Sequence, residues 1–384
     1  MRARAARAAR ALPWGAALTL TLTSALARRG WVSGPLWSLY EALSPALYLL
    51  LSLALLALVA RGGRARLRRT APPALLAASA GLALWSPAWL LRAEAPPAPP
   101  PHITLTTWNV ARLGELAPPA GREEEAAARL RCVSEALAAT PSDLIALQEV
   151  SRRRLSALEA HLDLRCAHID YHGLGGGWRG GLAVCAPRVG AWRITRARDF
   201  ALGGDWRALF AEVEAPGAGA GAPPRRLNLL NVHFSPLRIG ARDVKSALRG
   251  GAGAVLGLLR QAGQNTARQT AQLDDLRRAL ETLRDPTLIA GDFNAPPHTA
   301  LHRALQESLD GEWVDAWQEA GASFGATRYI TPWLPLRIDF IYARAGTFEF
   351  GSAVVPRVKC SDHLPVRARG WVRETPTRAS GEES

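Results

Sequence analysis

Lysine is almost missing from this chain. Lys245 and Lys359 are the only two in 384 residues, and arginine carries the remaining positive charge. Beside heavy alanine use this looks like genome composition, so the preference for Arg over Lys implies no function. Cysteine is scarce as well. Cys132, Cys166, Cys185 and Cys360 show no metal-type spacing, which argues against a Cys-ligated metal site. They read as buried thiols, Cys being among the most buried residue types; outside the cytoplasm, Cys166 and Cys185 are the two that would pair. The formal net charge of +14 invites a nucleic-acid reading. Residues 1–101, however, hold 12 Arg against two Glu, a net +10, which leaves +4 for residues 102–384. That mild excess weakens the case for a dedicated nucleic-acid binder.

Charge of either sign is missing from two long apolar runs and nearly so from a third. Residues 11–27 and 71–91 carry none, and 36–60 carry only Glu41. About 20 apolar residues span a bilayer, so 36–60 and 71–91 qualify as transmembrane helices and 11–27 is marginal. Pro45, Pro72, Pro73 and Pro87 do not exclude spanning. Trp37, Tyr40, Trp85 and Trp89 fall near the expected interfaces. Arginines crowd the first ten residues and the loop 61–69, and positive loops stay cytoplasmic. Residues 1–93 are therefore expected to be a membrane region of two or three helices whose last helix exits on the extracytoplasmic side. The first stretch is alternatively a cleaved signal peptide or an organelle transit peptide. Residues 94–101 are expected to be a Pro-rich, stiff linker, 102–372 the main folded domain, and 373–384 a disordered tail.

From residue 102 short apolar strands alternate with helices. The strands expected are 103–110, 144–150, 180–186, 225–235, 287–294, 336–343 and 358–366; the helices are 122–139 and 266–284. Six strand segments carry polar residues where apolar ones belong: Asn109, Glu149, His233, Asp292 with Asn294, Asp339, and Asp362 with His363. Alternation puts Asp292 and Asn294 on one face at a strand mouth, where Pro296 and Pro297 stop the ladder. Asp, Asn and Pro are also turn formers. One such site is easily a turn. Six across the chain point to shared chemistry, because a buried acid or amide costs a few kcal/mol unless paired or ligating. Carboxylates and Asn are hard oxygen ligands for Mg²⁺ or Mn²⁺, and histidines steady a phosphoryl group and move protons.

The segments TWNV, LQEV, NVHFSP, GDFNAPP, RIDFIY and SDHLPV, in that order, resemble the motifs of the endonuclease/exonuclease/phosphatase superfamily, over about residues 102–372. The resemblance implies a DNase I-like four-layer α/β sandwich, two packed, mostly antiparallel sheets flanked by helices. It implies Glu149 as main Mg²⁺ ligand, with Asn109 beside it and Asp362 contributing. Asp292 would deprotonate the attacking water, Asn294 would hold a phosphate oxygen, His233 and His363 would donate to the others, and Asp339 would set a histidine tautomer or assist the leaving oxygen.

Around the glycine-rich stretch 171–184, Tyr171, His172 and Arg179 are candidate substrate contacts, as is Asn231 in the His233 strand; the stretch is equally a plain hairpin. Residues 237–261, basic and partly apolar, could lie on anionic lipid or form an ordinary surface helix with a Gly-Gly hinge. Membrane helices ahead of such a domain resemble bacterial members linked to teicoplanin-type resistance. That implies a lipid-linked phosphate or pyrophosphate substrate at the outer face of the cell membrane. An extracytoplasmic nuclease is the alternative, and a binding module with a dead site is disfavoured because every motif acid and histidine is present.

Overall fold

The computed structural model describes residues 102–114, 123–172, 179–217, 223–236, 241–283, 285–297, 299–307, 313–322, 325–331 and 334–373. The expected membrane region, linker and tail lie outside these residues, apart from Arg373 at the start of the tail. Among the described residues no helix is long and apolar enough to cross a membrane. In chain order the elements are β1 (Ile103–Asn109), α1 (Glu123–Ala139), β2 (Leu144–Gln148), α2 (Arg152–Leu162), β3 (Leu164–His172), β4 (Arg179–Pro187), β5 (Arg193–Ala201), β6 (Arg207–Ala215), β7 (Arg225–His233), α3 (Ala241–Glu281), β8 (Thr287–Asp292), α4 (Ala300–Glu307), β9 (Trp313–Asp315), α5 (Ala316–Ala320), β10 (Arg328–Thr331), β11 (Leu334–Leu336), β12 (Asp339–Arg344), β13 (Phe348–Val354) and β14 (Val366–Val372). The segments Pro236–Thr270 and Ala295–Ala304 group as one compact unit; both sheets belong to the other.

Two six-stranded sheets face each other, in the orders β13-β14-β1-β2-β4-β3 and β5-β6-β7-β8-β12-β9. Each is antiparallel except for one central parallel pair, β1 with β2 and β7 with β8. β1, β2 and β8 are buried along their whole length, as strands covered on both faces should be. Along β1 and β2, Trp108, Ile145 and Leu147 turn outward into a cluster with Leu130, Val133 and Leu137 of α1. The alternate residues, Thr107, Asn109 and Gln148, turn toward the second sheet. Helix α1 opens with Glu123, Glu124 and Glu125, which suit the positive end of a helix. Ser151 caps α2 by accepting the Arg154 N–H.

Several expected elements are corrected. The basic stretch and the helix expected at 266–284 are not two pieces: from Ala241 to Glu281 they form the single 41-residue helix α3. Gly250 and Gly251 lower helix propensity without removing a hydrogen-bond donor, so they do not break it. Residues 358–366 form no strand, because Pro356 and Pro365 cannot donate to a ladder; β14 begins only at Val366. The strand expected at 336–343 begins at Asp339, because the Ile338 and Asp339 amides are both taken by Thr327 Oγ1. Nor are the cysteines thiols. Cys132 pairs with Cys360, and Cys166 with Cys185 directly across β3 and β4.

The glycine of the GDFN stretch is fixed by sterics. Gly291 has φ +150° and lies opposite Val232 in the parallel β7–β8 register, where a Cβ would overlap the Val232 carbonyl. Gly291→Ala is expected to destabilise the fold by at least about 2 kcal/mol. Urea unfolding of the variant checks this; a loss below about 0.5 kcal/mol, the range of an ordinary surface change, would refute the steric account.

Candidate active site

The parallel pairs explain why the polar residues meet. Because β1 runs with β2 and β7 with β8, four strands reach their C-terminal ends at one edge. Antiparallel β12 starts there, with Asp339 opposite Asp292 and His233 opposite Asp292 in register. Asn109 ends β1, Glu149 follows β2, His233 ends β7 and Asp292 ends β8. Loop 355–365 brings His363 to the same edge, where it bridges to Arg328 of β10.

The groups converge on one atom. Asp292 Oδ2 accepts from Asn109 Nδ2 at 3.0 Å, with His233 Nε2 at 3.6 Å and His363 Nε2 at 3.7 Å. Its other oxygen, Oδ1, accepts the backbone N–H of Asn294 at 2.8 Å. Asn294 is not a strand residue. At φ 49° it has left the ladder, and the Asp292–Asn294 bond is the side-chain turn that these residue types favour. The turn and the site are thus one feature, since the turn fixes the carboxylate. The Asn294 side chain donates to the Phe234 carbonyl at 2.9 Å. Phe293, pointing away, stacks on Phe234 and anchors the turn in the core.

His363 Nδ1 sits 2.9 and 3.1 Å from the two oxygens of Asp339, which sets its orientation and leaves Nε2 facing Asp292. Burial works against its protonation, but the charges of Asp339 and Asp292 and the Asp339 hydrogen bond outweigh it, raising its pKa to about 9. The Asp292 carboxyl is held above the ordinary carboxylate range by burial and then by Asp339, against the pull of both histidines and Asn109. His233 lies 3.8 Å from Glu149 Oε1 and meets the buried Trp206 edge to face at 5.2 Å.

Glu149 is one of few non-glycine residues at positive φ, 58°, held there by hydrogen bonds from Val150 N to Gly181 O and from Val110 N to Gln148 O. Strain of this kind collects at functional sites. Asn109 presents its amide nitrogen to Glu149 Oε1 at 3.2 Å as well as to Asp292, while its oxygen accepts the Ala111 N–H.

Asp362 is half-exposed and turned toward Arg328, 3.1 Å from that guanidinium. The reading of Asn231 as a substrate contact is corrected. It is fully buried between the sheets, donating to the Leu147 and Ala183 carbonyls and accepting from Gln148 Nε2 at 2.7 Å. An inward position one turn of the pleat before the strand end cannot reach solvent. Tyr171 and His172 pair with Gly180 and Arg179 at the end of the β3–β4 hairpin. The side chains of Tyr171, His172 and Arg179 lie outside what the structure describes.

The donor set fits a divalent cation. Glu149, Asp292 and Asp339 supply hard carboxylate oxygens. Asp292, Asp339 and His363 each offer a ligand atom within 4.8 Å of the others. Two buried acids and a third beside them also call for compensating positive charge. Arg328 and Trp206 touch the site from segments whose patterns carry no sign of it, and Ser361, inside the SDHLPV segment, gives no sign of its own role.

A model of the Endonuclease/Exonuclease/phosphatase family matches residues 106–363. Among solved structures, the chain is similar to a conserved protein of unknown function from Enterococcus faecalis V583, at 18% identity and TM-score 0.52, over 71% of this chain and 100% of that one. It is similar to an endonuclease/exonuclease/phosphatase from Bacteroides vulgatus at 15% identity and TM-score 0.51, over 71% and 99%. A humanized D. rerio TDP2 aligns at 16% identity and TM-score 0.51, over 70% and 98%. At these identities the likeness shows the fold. No curated protein matches.

Proposed function

We propose, from the premise that the chain belongs to the endonuclease/exonuclease/phosphatase family and is a metal-dependent phosphoester hydrolase, that it is anchored in the cell membrane and uses Mg²⁺ to hydrolyse a lipid-linked phosphate or pyrophosphate on the extracytoplasmic side. The observation that carries the hydrolase reading is the convergence of Asn109, His233 and His363 on Asp292 Oδ2. A phosphoryl group placed between the two Nε2 atoms meets donors on both sides and a carboxylate behind.

The raised Asp292 carboxyl is tuned upward toward the proton affinity that a water base needs. His363, kept protonated by Asp339, donates to an oxygen that gains charge in the transition state. His233 approaches the same space from β7, and Asn109 holds the Glu149 and Asp292 carboxylates apart. Glu149 and Asp292, with Asp339 behind them, are the residues that would hold Mg²⁺, with Mn²⁺ as a second candidate; the cation, when bound, supplies Lewis-acid polarisation of the phosphoryl oxygen and acidifies water.

Three features support the membrane reading: the charge-poor stretches at 36–60 and 71–91, the arginines of loop 61–69, and two disulfides, which suit an oxidising compartment. The domain's small charge excess favours a lipid-borne phosphate over nucleic acid.

The test uses the full chain in detergent micelles with Mg²⁺. Phosphate release from a prenyl pyrophosphate, lost in Asp292→Ala and His363→Ala, is the expected result. Nicking of supercoiled plasmid without lipid hydrolysis, lost in the same variants, would replace the lipid reading with an extracytoplasmic nuclease.

A further inference from the structure

Asn109, His233, Asp292 and Asp339 each lie at a strand end, but His363 does not. His363 sits in loop 355–365, which has no ladder of its own. Its position is set by a few discrete ties. Ser361 Oγ donates to the Asn109 carbonyl at 2.8 Å and accepts the His363 N–H at 3.2 Å. The Trp108 indole donates to the His363 carbonyl at 3.0 Å. The Leu364 N–H donates to Thr327 O at 2.6 Å, and Arg328 holds Asp362. Each is a single hydrogen bond or a half-exposed ion pair, worth about 1 kcal/mol or less apiece.

The one covalent tie is at Cys360, directly before Ser361. It joins the loop to Cys132 of α1, 228 residues earlier in the chain, with Cα atoms 5.6 Å apart. Cys360 and Cys132 pack against the same apolar cluster as Trp108, Leu130 and Val133. The bridge thus fixes the loop to the helix layer behind β1 while Ser361 fixes it to the end of β1. An open cleft lined by Glu125, Arg129, Lys359 and Asp362 lies over the two sulfurs.

We propose that the Cys132–Cys360 disulfide is a positioning device for His363, so that turnover depends on the oxidation state of this one bridge. The proposal rests on the reading of His363 as a catalytic group given above. A dithiol reductant would open it by thiol–disulfide exchange. The two reductant sulfurs join as a disulfide, Cys132 and Cys360 each become thiols, and two electrons with two protons pass to the protein. The loop then keeps the single hydrogen bonds above and the buried Asp339–His363 pair, which orients the ring but does not hold the loop against α1, and His363 loses its fixed approach to the phosphoryl position. The Cys166–Cys185 bridge lies within the β3–β4 ladder, which already holds both strands, so it has no such role.

The experiment compares full-length wild type, Cys132→Ser/Cys360→Ser, Cys166→Ser/Cys185→Ser and His363→Ala on bis(p-nitrophenyl) phosphate with Mg²⁺. In parallel, hydrogen exchange is followed across 358–364. Loss of the 132–360 bridge is expected to lower kcat at least about tenfold, since a misplacement of about 1 Å costs up to roughly a hundredfold. KM should change by less than about twofold, because substrate binding does not use the bridge. The 166–185 variant should match wild type. Should the 132–360 variant fail to fold, the 166–185 variant, whose remaining bridge is Cys132–Cys360, is treated with a dithiol and reoxidised, with far-UV circular dichroism as the check on folding. Reversible loss of kcat and faster exchange at 358–364 support the proposal. Unchanged kcat, or unchanged exchange, on opening the bridge overturns it. Activity lost in His363→Ala but kept without the bridge refutes only this inference; full activity in His363→Ala refutes the catalytic reading beneath it.

Discussion

Asp292→Ala is expected to reduce phosphoester hydrolysis by about 10³-fold or more, and Asp292→Asn, which keeps an acceptor for the Asn294 N–H, to do so while leaving the fold as stable as wild type or more so. The rate term follows from the geometry. Asp292 Oδ2 is the atom on which Asn109, His233 and His363 converge, and a positioned base alone contributes about 10²–10⁴-fold. The stability term follows from the sign of the pKa shift. A carboxyl held above its ordinary value is more costly as a charge in the folded state than in the unfolded one. Above the folded pKa that cost is present in full, and removing the acid relieves it. Asp292→Asn, which keeps the shape and loses the charge, isolates this effect. Steady-state kinetics and urea unfolding at pH 7.5 test both halves. A loss under tenfold would remove Asp292 from the chemistry, and a marked drop in stability would assign the activity loss to unfolding.

Between pH 6.5 and pH 9 the metal-free protein is expected to lose about 3 kcal/mol of stability through His363. Its folded pKa is raised to about 9 from an ordinary 6.5. The stabilisation is complete below the unfolded value and disappears as the pH rises through the folded one. Asp339 is the main source, through its charge and its hydrogen bond to Nδ1, and the Asp292 charge adds to it. Asp339→Asn should therefore flatten the dependence while also lowering kcat, because Nε2 then loses both its orientation and its proton. Urea unfolding in chelator across this window, for wild type and Asp339→Asn, makes the comparison. An equal slope in the two proteins would show that the Asp339–His363 pair does not titrate as described.

The residues of the site were legible because chemistry leaves a local mark. A polar side chain beside an apolar run contradicts its surroundings, and Asn109, Glu149, His233, Asp292, Asp339 and His363 each do so. The same local rule misplaced Asn231, because a buried amide that staples two sheets breaks the pattern in the same way as one that binds a substrate. Only the Leu147 and Ala183 carbonyls, presented by the other sheet, distinguish the two cases.

The pairing of Cys132 with Cys360 was illegible for the same reason: 228 residues separate them, and no local spacing encodes a contact made through the third dimension. The strand expected at 358–366 is a loop because Pro356 and Pro365 break the ladder on either side of His363. Trp206 and Arg328 carry no motif, and they reach the site only because β6 and β10 are delivered there by pairing. By itself the sequence determined the alternating strand–helix character of the domain, the turn at Asp292–Asn294 and the residue types of the site, all consequences of short-range sterics and of burying polar groups. The tertiary structure alone decided which strands run parallel, and hence that four strand ends, the start of β12 and loop 355–365 meet at one edge. Strand order follows from the packing of two whole sheets, a long-range balance that no short stretch records.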